Sequence, residues 1–273
     1  MVKTTAQGKT ILLTGGASGI GAAAARLAVE RGHQVLIGDI DFEGARLVAQ
    51  SIGTGASAIP LDITQADQWA RALDEAWKLF GRLDVLLNNA AVAYAGYATK
   101  VPLSDHERTV EVNFLGPMKG MLATLPRFLS QSSGHFVTVC SMTAFLPFPG
   151  LSSYAAAKHA LRAFHHALAL EQRDSPLEFT IVHPTSTETP MLEKEAQSGL
   201  ALAFAGPSMS AQEAARIVLE AMEQQAIEIC IPPERGEVVR RIGSDPQALR
   251  EMVIRGEAVG AEQLKARLAA GER

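Results

Sequence analysis

Short apolar runs alternate with longer amphipathic stretches along this chain. The apolar runs contain few charged residues, a pattern typical of strands that are buried on both faces of a parallel sheet. They lie at residues 10–14, 34–39, 56–61, 83–87, 134–140, 178–183 and 226–231. The stretches between them place apolar residues at helical spacing, as in residues 64–80, whose apolar side carries Trp69, Leu73, Ala76, Trp77 and Phe80.

This pattern predicts a helix after most of the strands. We expect helices at residues 20–31, 41–51, 64–80, 104–130, 152–173 and 210–224. Asp41 and Ser104 are predicted to cap two of them, because short polar side chains accept bonds from the first free N–H groups. Gly116, Pro117 and Pro126 are expected to bend or interrupt the longest one.

Two segments depart from the alternation. Residues 185–208 show little periodicity, and we expect a mobile loop with a short helix there. Residues 234–273 are charged and predict a helical C-terminal extension. The whole pattern predicts a single α/β domain over residues 1–273, with a doubly wound parallel sheet of about seven strands between two helical layers.

Composition narrows the classes of function. The chain has 273 residues, of which 47% are hydrophobic, and a net charge of −4, so nothing favours binding to nucleic acid or to an anionic membrane. Cys140 and Cys230 are distant and lie in apolar runs, which suggests buried free thiols in a reducing compartment. The polar N-terminus lacks the apolar core of a secretory signal, and no apolar run reaches the roughly 20 residues of a membrane span. We therefore expect a cytoplasmic protein.

A glycine-rich turn follows the first predicted strand. The sequence TGGASGIG, at residues 14–21, places glycines where a backbone can turn sharply and approach a phosphate at a helix N-terminus. No Walker pattern is present, so a P-loop NTPase is not indicated.

Asp39 ends the second strand, where a carboxylate can accept bonds from ribose hydroxyls and would repel the 2′-phosphate of NADP. Asp39 could equally be a helix-capping or solvated residue.

Other polar residues follow later strands. Asp62, Asn88 and Asn89 come at the carboxyl ends of the third and fourth strands, the edge where open α/β sheets bind ligands, although both asparagines also suit a turn. Asn113 lies inside a predicted helix, where asparagine is mildly unfavourable and indicates a local bend.

Tyr154 and Lys158 are four residues apart, which places both side chains on one face of a helix. An ammonium beside a phenol favours the phenolate, so we expect the pKa of Tyr154 to lie below its usual value of about 10. The same spacing would also occur in an ordinary helix that happens to contain one tyrosine and one lysine.

Taken together, these motifs resemble the short-chain dehydrogenase/reductase family, whose members are NAD(P)-dependent oxidoreductases with a Rossmann-like fold. The resemblance covers residues from about 8 to 190 in the family's order and spacing. It rests on TGGASGIG (14–21), Asp39, Asp62, NNAA (88–91), Asn113, Ser141 and YAAAK (154–158).

The resemblance implies a role for each matching position. Tyr154 would be the general acid/base, Lys158 would hold the nicotinamide ribose, and Ser141 would bind the substrate oxygen. Asn113 would hold a water molecule in a proton relay. The cofactor would contact Gly15, Ser18, Gly19, Ile20, Gly21, Asp39, Asp62, Ile63, Asn89, Ala90, Tyr154, Lys158, Pro184, Thr187 and Thr189. A homodimer or homotetramer is also implied.

Three departures from the family pattern matter. Ala91 and Thr185 replace glycines that the family usually has, and Thr185 is expected to reshape the nicotinamide pocket. The C-terminal extension replaces a segment that many members use for tetramer contacts. We expect it near the substrate cleft or at a dimer interface.

The expected substrate is an apolar alcohol or ketone of the steroid, retinoid, terpene or fatty alcohol type. The stretches 91–97, 143–151 and 185–204 are rich in apolar residues, and their one lysine or arginine is Lys194. These residues could also serve only to pack the loops. Two rival hypotheses for the whole chain are a catalytically idle NAD-binding redox sensor or scaffold, and a nucleoside-sugar epimerase or dehydratase.

Overall fold

A seven-stranded parallel sheet forms the centre of the computed structural model, which describes residues 8–271. Residues 1–7 and 272–273, including most of the polar N-terminus and the end of the predicted extension, lie outside the described residues. The sheet strands are β1 (Thr10–Thr14), β2 (Gln34–Asp39), β3 (Ala56–Pro60), β4 (Val85–Asn88), β5 (Gly134–Val139), β6 (Leu177–Pro184) and β9 (Glu228–Ile231). Two short strands, β7 (Thr187–Glu188) and β8 (Met209–Ser210), pair separately.

Helices cover both faces of the sheet. They are α1 (Gly19–Glu30), α2 (Phe42–Ile52), α3 (Ala66–Phe80), α4 (Leu103–Val110), α5 (Gly116–Ser130), α6 (Ser152–Glu171), α7 (Pro190–Gln197), α8 (Ala211–Glu223), α9 (Gly236–Gly243) and α10 (Pro246–Gly271). Successive residues of a strand face opposite sides. Ile11 and Leu13 therefore pack with α1, α2 and α8 on one face, while Leu12 packs with α3, α5 and α6 on the other.

The strand order is β3-β2-β1-β4-β5-β6-β9, so the direction of winding reverses between β1 and β4. A reversal leaves a crevice at the carboxyl ends of the strands, because the connections leave toward opposite faces. The predicted sheet of about seven strands between helical layers is confirmed, and its crevice lies where the motifs were expected.

Helix ends test the sequence predictions in detail. The Asp41 carboxylate accepts a bond of 3.0 Å from the Gly44 N–H, so the predicted cap is confirmed. The Ser104 cap is wrong, because α4 begins one residue earlier and Pro102 occupies the cap position with extended backbone. Ser104 therefore lies inside the first turn.

The long helix expected at residues 104–130 is interrupted. A π-helical turn, Glu111–Leu115, separates α4 from α5 and contains Asn113. Pro117 lacks an N–H group, so the carbonyl of Asn113 has no donor four residues later and the α-helical pattern cannot continue. The predicted irregularity at Asn113 is thus confirmed, whereas Pro126 lies within α5 without ending it.

The last third of the chain contains more regular secondary structure than its sequence pattern indicates. Residues 185–208 form β7, α7 and a 3-10 turn at Ala201–Phe204, and the expected short helix is confirmed as α7. The predicted helical extension is confirmed as α9 and α10. Within residues 8–271, no helix combines the length and the apolar character needed to cross a membrane.

Candidate active site

A cleft of about 950 Å³ opens at the carboxyl ends of the strands. It gathers the glycine turn, the ends of β2, β4, β5 and β6, helix α7 and part of the C-terminal extension. Most of the predicted site residues line it: Gly15, Ser18, Gly19, Ile20, Asp39, Asp62, Ile63, Asn89, Ala90, Ser141, Tyr154, Lys158, Pro184, Thr187 and Thr189. Gly21 and Asn113 lie behind its wall.

The glycine turn is shaped by close backbone contacts. Gly15 has a φ of 71°, a backbone conformation in which any residue with a side chain would be strained. A Cβ at Gly21 would collide with the Gly15 carbonyl. The Asn89 side chain donates bonds of 3.1 and 2.8 Å to the carbonyls of Thr14 and Gly15. Asn89 therefore holds the turn in place, and its implied contact with the adenosine side of a cofactor stays a prediction.

Asp39 closes one end of the cleft with a carboxylate of fixed orientation. One oxygen accepts from the Ala17 N–H and the other from the Asp41 N–H, both at 2.9 Å. The carboxylate is thereby tied to the glycine turn. Its position at the end of β2, beside the N-terminus of α1, fits the binding of ribose hydroxyls.

Asp62 is held by a second set of bonds. It accepts from the Thr64 N–H at 2.9 Å and the Thr64 hydroxyl at 2.7 Å, and Arg108 lies 3.6 Å from its other oxygen. Burial opposes ionisation of Asp62, but these bonds and the Arg108 charge outweigh it and lower the pKa. Arg108 also lines the cleft, which its place in the sequence did not indicate.

Pro184, Thr187 and Thr189 line the cleft at and after the end of β6, and Thr189 lies beside Gly19 of the glycine turn. The Thr189 hydroxyl donates to the Thr187 carbonyl at 3.1 Å and caps α7 by accepting from the Leu192 N–H. The Thr187 hydroxyl donates to the Thr185 carbonyl at 2.9 Å. Their implied contacts with a cofactor stay predictions.

Ser141, Tyr154 and Lys158 converge on the cleft from two elements. Ser141 follows β5, and its side chain accepts from the Thr143 N–H at 3.1 Å. Tyr154 lies in the first turn of α6, and Lys158 lies one turn later. The ammonium of Lys158 is buried, lies 5.5 Å from the centre of the Tyr154 ring and donates to the Val139 carbonyl at 3.3 Å.

The expectation of a lowered tyrosine pKa is wrong for the protein alone. Burial raises the pKa of Tyr154, and the nearby charge of Glu195 raises it further, while a bond with Ser141 opposes them. Burial also lowers the pKa of Lys158, which weakens it as a source of positive charge. Both side chains have lost water, a change that disfavours the charged form of each.

The Asn113 side chain is occupied by protein contacts. Its amide donates to the carbonyls of Val92 at 2.8 Å and Thr109 at 2.9 Å, and its oxygen accepts from the Val92 N–H at 3.2 Å. Asn113 thus fixes the loop after β4. Both amide hydrogens are engaged in these bonds, and the implied part of Asn113 in a proton relay stays a prediction.

The apolar residues expected around the substrate divide into two groups. Those on the cleft wall are Val92, Tyr94, Leu146, Phe148, Met191 and Leu192. Phe145 and Phe204 pack in small buried clusters, and Tyr97 and Leu200 also lie off the wall. Some of the expected substrate residues therefore pack in the protein interior and do not face the cleft.

The C-terminal extension covers one side of the cleft, in agreement with one of its two expected places. Arg235 donates a bond of 2.8 Å to the hydroxyl of Thr185, the residue that replaces a family glycine. Glu234, Val238, Ile242 and Met252 line the cleft beside it. Sequence analysis missed these residues because they lie far from every motif and reach the cleft only through the fold.

A buried charged cluster lies behind Ser141. His183 is fully buried, with Nδ1 2.9 Å from the Ser141 carbonyl and Nε2 3.0 Å from the Glu228 carboxylate. Both partners are acceptors, so both ring nitrogens carry protons. Burial alone would lower the pKa of His183, but contacts with Cys140 and Glu228 raise it to about 9. The one sequence feature that could have pointed to this cluster is a histidine at the end of an apolar strand.

Glu228 joins the elements around this cluster. Arg162 of α6 donates to it at 2.6 and 3.1 Å, and His166 lies 3.0 Å away. Arg240 of α9 lies 3.6 Å away. Burial opposes ionisation of Glu228, yet these bonds keep its pKa well below the usual value.

We expect Glu228→Gln to lower the free energy of unfolding by about 3 kcal/mol, because it leaves buried positive charge without its partner. The pKa of His183 in the folded protein, about 9, lies above its ordinary 6.5. Its contribution to stability is therefore complete below about pH 6.5 and is lost as the pH rises through about 9. Urea unfolding across this range measures both effects, and the decline should be smaller in Glu228→Gln.

The control is Glu213→Gln, which removes an exposed carboxylate paired with Arg216 on α8. It should unfold like the unchanged protein at every pH, since exposed pairs contribute little. Equal stability of Glu228→Gln and Glu213→Gln would contradict the role of the cluster.

Comparisons with known proteins agree with this geometry. A family model described as short chain dehydrogenase matches residues 9–199. A 3-alpha-(or 20-beta)-hydroxysteroid dehydrogenase of Mycobacterium tuberculosis is 33% identical over 186 residues, which cover 68% of this chain and 72% of the relative. The 2,5-dichloro-2,5-cyclohexadiene-1,4-diol dehydrogenase LinX of Sphingobium indicum is 34% identical over 187 residues, covering 67% and 75%.

Two solved structures are also similar to this chain in fold. A 3-ketoacyl-(acyl-carrier-protein) reductase from Brucella melitensis, complexed with NADH, has a TM-score of 0.75 and 26% identity, covering 82% of this chain and 97% of the other. A short chain dehydrogenase/reductase from Burkholderia phymatum, in complex with NAD, has a TM-score of 0.81 and 22% identity, covering 88% and 95%. The second likeness is one of fold.

Proposed function

Because this chain belongs to the short-chain dehydrogenase family, an oxidoreductase family acting on CH–OH groups, we propose that it interconverts an alcohol and its ketone or aldehyde with NAD as cofactor and Tyr154 as general acid/base. The observation that carries the proposal is the shared cleft. Ser141, Tyr154 and Lys158 face the same cavity as the glycine turn and Asp39. A proton-transfer group and a dinucleotide site are therefore within reach of one substrate.

The donor set of the cleft fits NAD. The glycine turn leaves its backbone open at the N-terminus of α1, where the helix dipole favours a pyrophosphate. Asp39 offers oxygens to the adenosine ribose and would repel an additional phosphate there. Asp62, Ile63, Asn89 and Ala90 would enclose the adenosine side, and Pro184, Thr187 and Thr189 the nicotinamide side. The NADH complex of the Brucella reductase supports this assignment.

Bound NAD⁺ would supply the hydride acceptor and a positive charge in the cleft. The chain's own residues would handle the proton. The Tyr154 phenolate takes the proton of the alcohol during oxidation, and the Tyr154 hydroxyl returns it during reduction, while the Ser141 hydroxyl donates a bond to the substrate oxygen. Lys158 holds its ammonium beneath the Tyr154 ring and would bind the ribose hydroxyls.

The proton is proposed to continue through Lys158 toward the π-helical turn. The carbonyl of Asn113 has no helical donor at Pro117, so it remains a candidate acceptor for a bridging water. The side chain of Asn113 meanwhile keeps the turn attached to Val92.

An apolar, cyclic or long-chain alcohol suits the substrate side of the cleft. Residues from four separate segments supply this wall, among them Val92, Phe148, Met191, Val238 and Ile242. Two relatives named above act on hydroxysteroids and on a cyclohexadiene diol, which supports a ring-bearing alcohol.

A screen of alcohols with NAD and NADP side by side tests the proposal. Formation of NADH, followed by its absorbance, is expected with at least one apolar alcohol and should exceed formation of NADPH. Tight NADH binding without turnover over a broad panel would instead favour an NAD-binding sensor or scaffold. The single domain, the homodimer or homotetramer and the cytoplasmic location stay predictions.

A further inference from the structure

Glu195 is an acidic residue in the apolar part of the cleft. It lies near the end of α7 and lines the same cavity as Leu192 and Leu202. Its side chain is partly buried, and within residues 8–271 its carboxylate makes no hydrogen bond or ion pair. The neighbouring Glu193, by contrast, faces outward and pairs with Arg267.

A carboxylate in such a place is costly. Loss of water without a compensating donor destabilises the charged form, and burial accordingly raises the pKa of Glu195 to about 7. The ionised carboxylate also raises the pKa of Tyr154. A bound hydrogen-bond donor would reduce both penalties, because it replaces the lost water and spreads the negative charge.

We propose that Glu195 accepts a hydrogen bond from a second hydroxyl group of the substrate, so that diols and hydroxyketones are preferred over simple alcohols and ketones. This inference rests on the proposed function, since it places one substrate hydroxyl at Tyr154 and the other at Glu195. It refines the expected apolar substrate by adding one polar group at a defined wall of the cleft.

The surrounding charges favour a neutral donor. Lys194 and Arg235 line the same cleft, and the Arg235 guanidinium has no carboxylate partner among the described residues. These cations make the cleft as a whole unfavourable for a substrate that carries an ammonium group. A hydroxyl donates the required bond without bringing charge, and the apolar wall accommodates the carbon skeleton between the two hydroxyls.

The test compares matched alcohols and diols in the full-length protein with NAD. Two pairs sample different spacings: cyclohexanol with cyclohexane-1,4-diol, and 1-decanol with 1,10-decanediol. The unchanged protein should favour at least one diol by about tenfold or more in kcat/KM, in line with a hydrogen bond to a charged group. Glu195→Leu should abolish this preference, whereas Glu195→Gln should retain part of it through its amide oxygen.

Glu193→Gln is the matched control, because it makes the same change on the outer side of α7. It should keep the full preference for the diol. A second readout is the pH at which kcat/KM rises as Tyr154 ionises. Lys158 on α6, Cys140 and Ser141 after β5, and Glu195 on α7 all act on this group. Glu195→Gln should move the rise to lower pH, and Glu193→Gln should not.

Failure of this inference is distinguishable from failure of the proposed function. No preference for either diol in the unchanged protein, or an equal preference in Glu195→Leu, would overturn the role of Glu195 while leaving the dehydrogenase intact. If no alcohol is oxidised at all, the proposed function fails, and calorimetric titration of the two diols into the protein decides about Glu195. Equal diol affinity in the unchanged protein and Glu195→Leu would then overturn it.

Discussion

Tyr154→Phe is expected to reduce kcat by about 10²–10⁴, the usual contribution of general acid/base catalysis, while NADH binds with nearly unchanged affinity. The substitution removes only the hydroxyl that exchanges a proton with the substrate. The ring remains above Lys158, whose ammonium lies 5.5 Å from the ring centre, so the wall of the cleft keeps its shape. Single-turnover kinetics with an alcohol from the screen measure the chemical step, and NADH fluorescence measures the affinity.

Tyr97→Phe provides the matched control for this experiment. Tyr97 is 64% exposed and lies off the wall of the cleft, so loss of its hydroxyl should leave kcat unchanged. Near-normal turnover in Tyr154→Phe would contradict the assignment of Tyr154 as the proton carrier. A parallel loss of NADH affinity would instead mean that the substitution disturbs the cofactor side of the cleft.

Asp39→Asn is expected to remove most of the preference for NAD over NADP. The unchanged carboxylate offers strong acceptors to ribose hydroxyls and repels a 2′-phosphate, so its loss should weaken NADH binding roughly tenfold, as for one charge-assisted hydrogen bond. NADPH binding should strengthen, because the repulsion disappears. Asparagine keeps the size of the side chain and one oxygen, so the bond from either the Ala17 or the Asp41 N–H is retained and the other is lost.

The control for cofactor choice is Asp41→Asn. Asp41 also lines the cleft and caps α2, and asparagine caps a helix about as well as aspartate. Fluorescence titration with NADH and NADPH should therefore show the original preference in Asp41→Asn. If Asp39→Asn discriminates between the two cofactors as strongly as the unchanged protein, another part of the cleft selects the cofactor.

Much of the fold follows from local patterns. Runs such as residues 10–14 and 83–87 contain apolar side chains on successive positions, a pattern typical of a short strand that is covered on both faces. Asp41 caps its helix because the bond to Gly44 involves neighbours in the chain. Ser104 shows the limit of such reasoning, since Pro102 ended the preceding segment first and moved the start of α4.

Part of the candidate site could also be predicted from local motifs, and part of it could not. The motifs around Gly15, Asp39, Ser141 and Tyr154 were recognisable because each has a characteristic order and spacing, and the parallel sheet brings the ends of their strands to one edge. Asn113 was identified as an irregularity, but its partners Val92 and Thr109 became known only from the structure. Asn89 was assigned to a cofactor, whereas its amide bonds hold the glycine turn.

The chain's sequence by itself determined the alternation of strands and helices, the glycine turn, the position of Asp39 and the pairing of Tyr154 with Lys158, because each depends on residues that are close along the chain. Only the tertiary structure decided the direction of the Tyr154 pKa, the place of Glu195 in the cleft and the cover provided by Arg235. These properties depend on burial and on charges contributed by distant segments. Such effects arise only when the folded chain excludes water and brings those segments into contact.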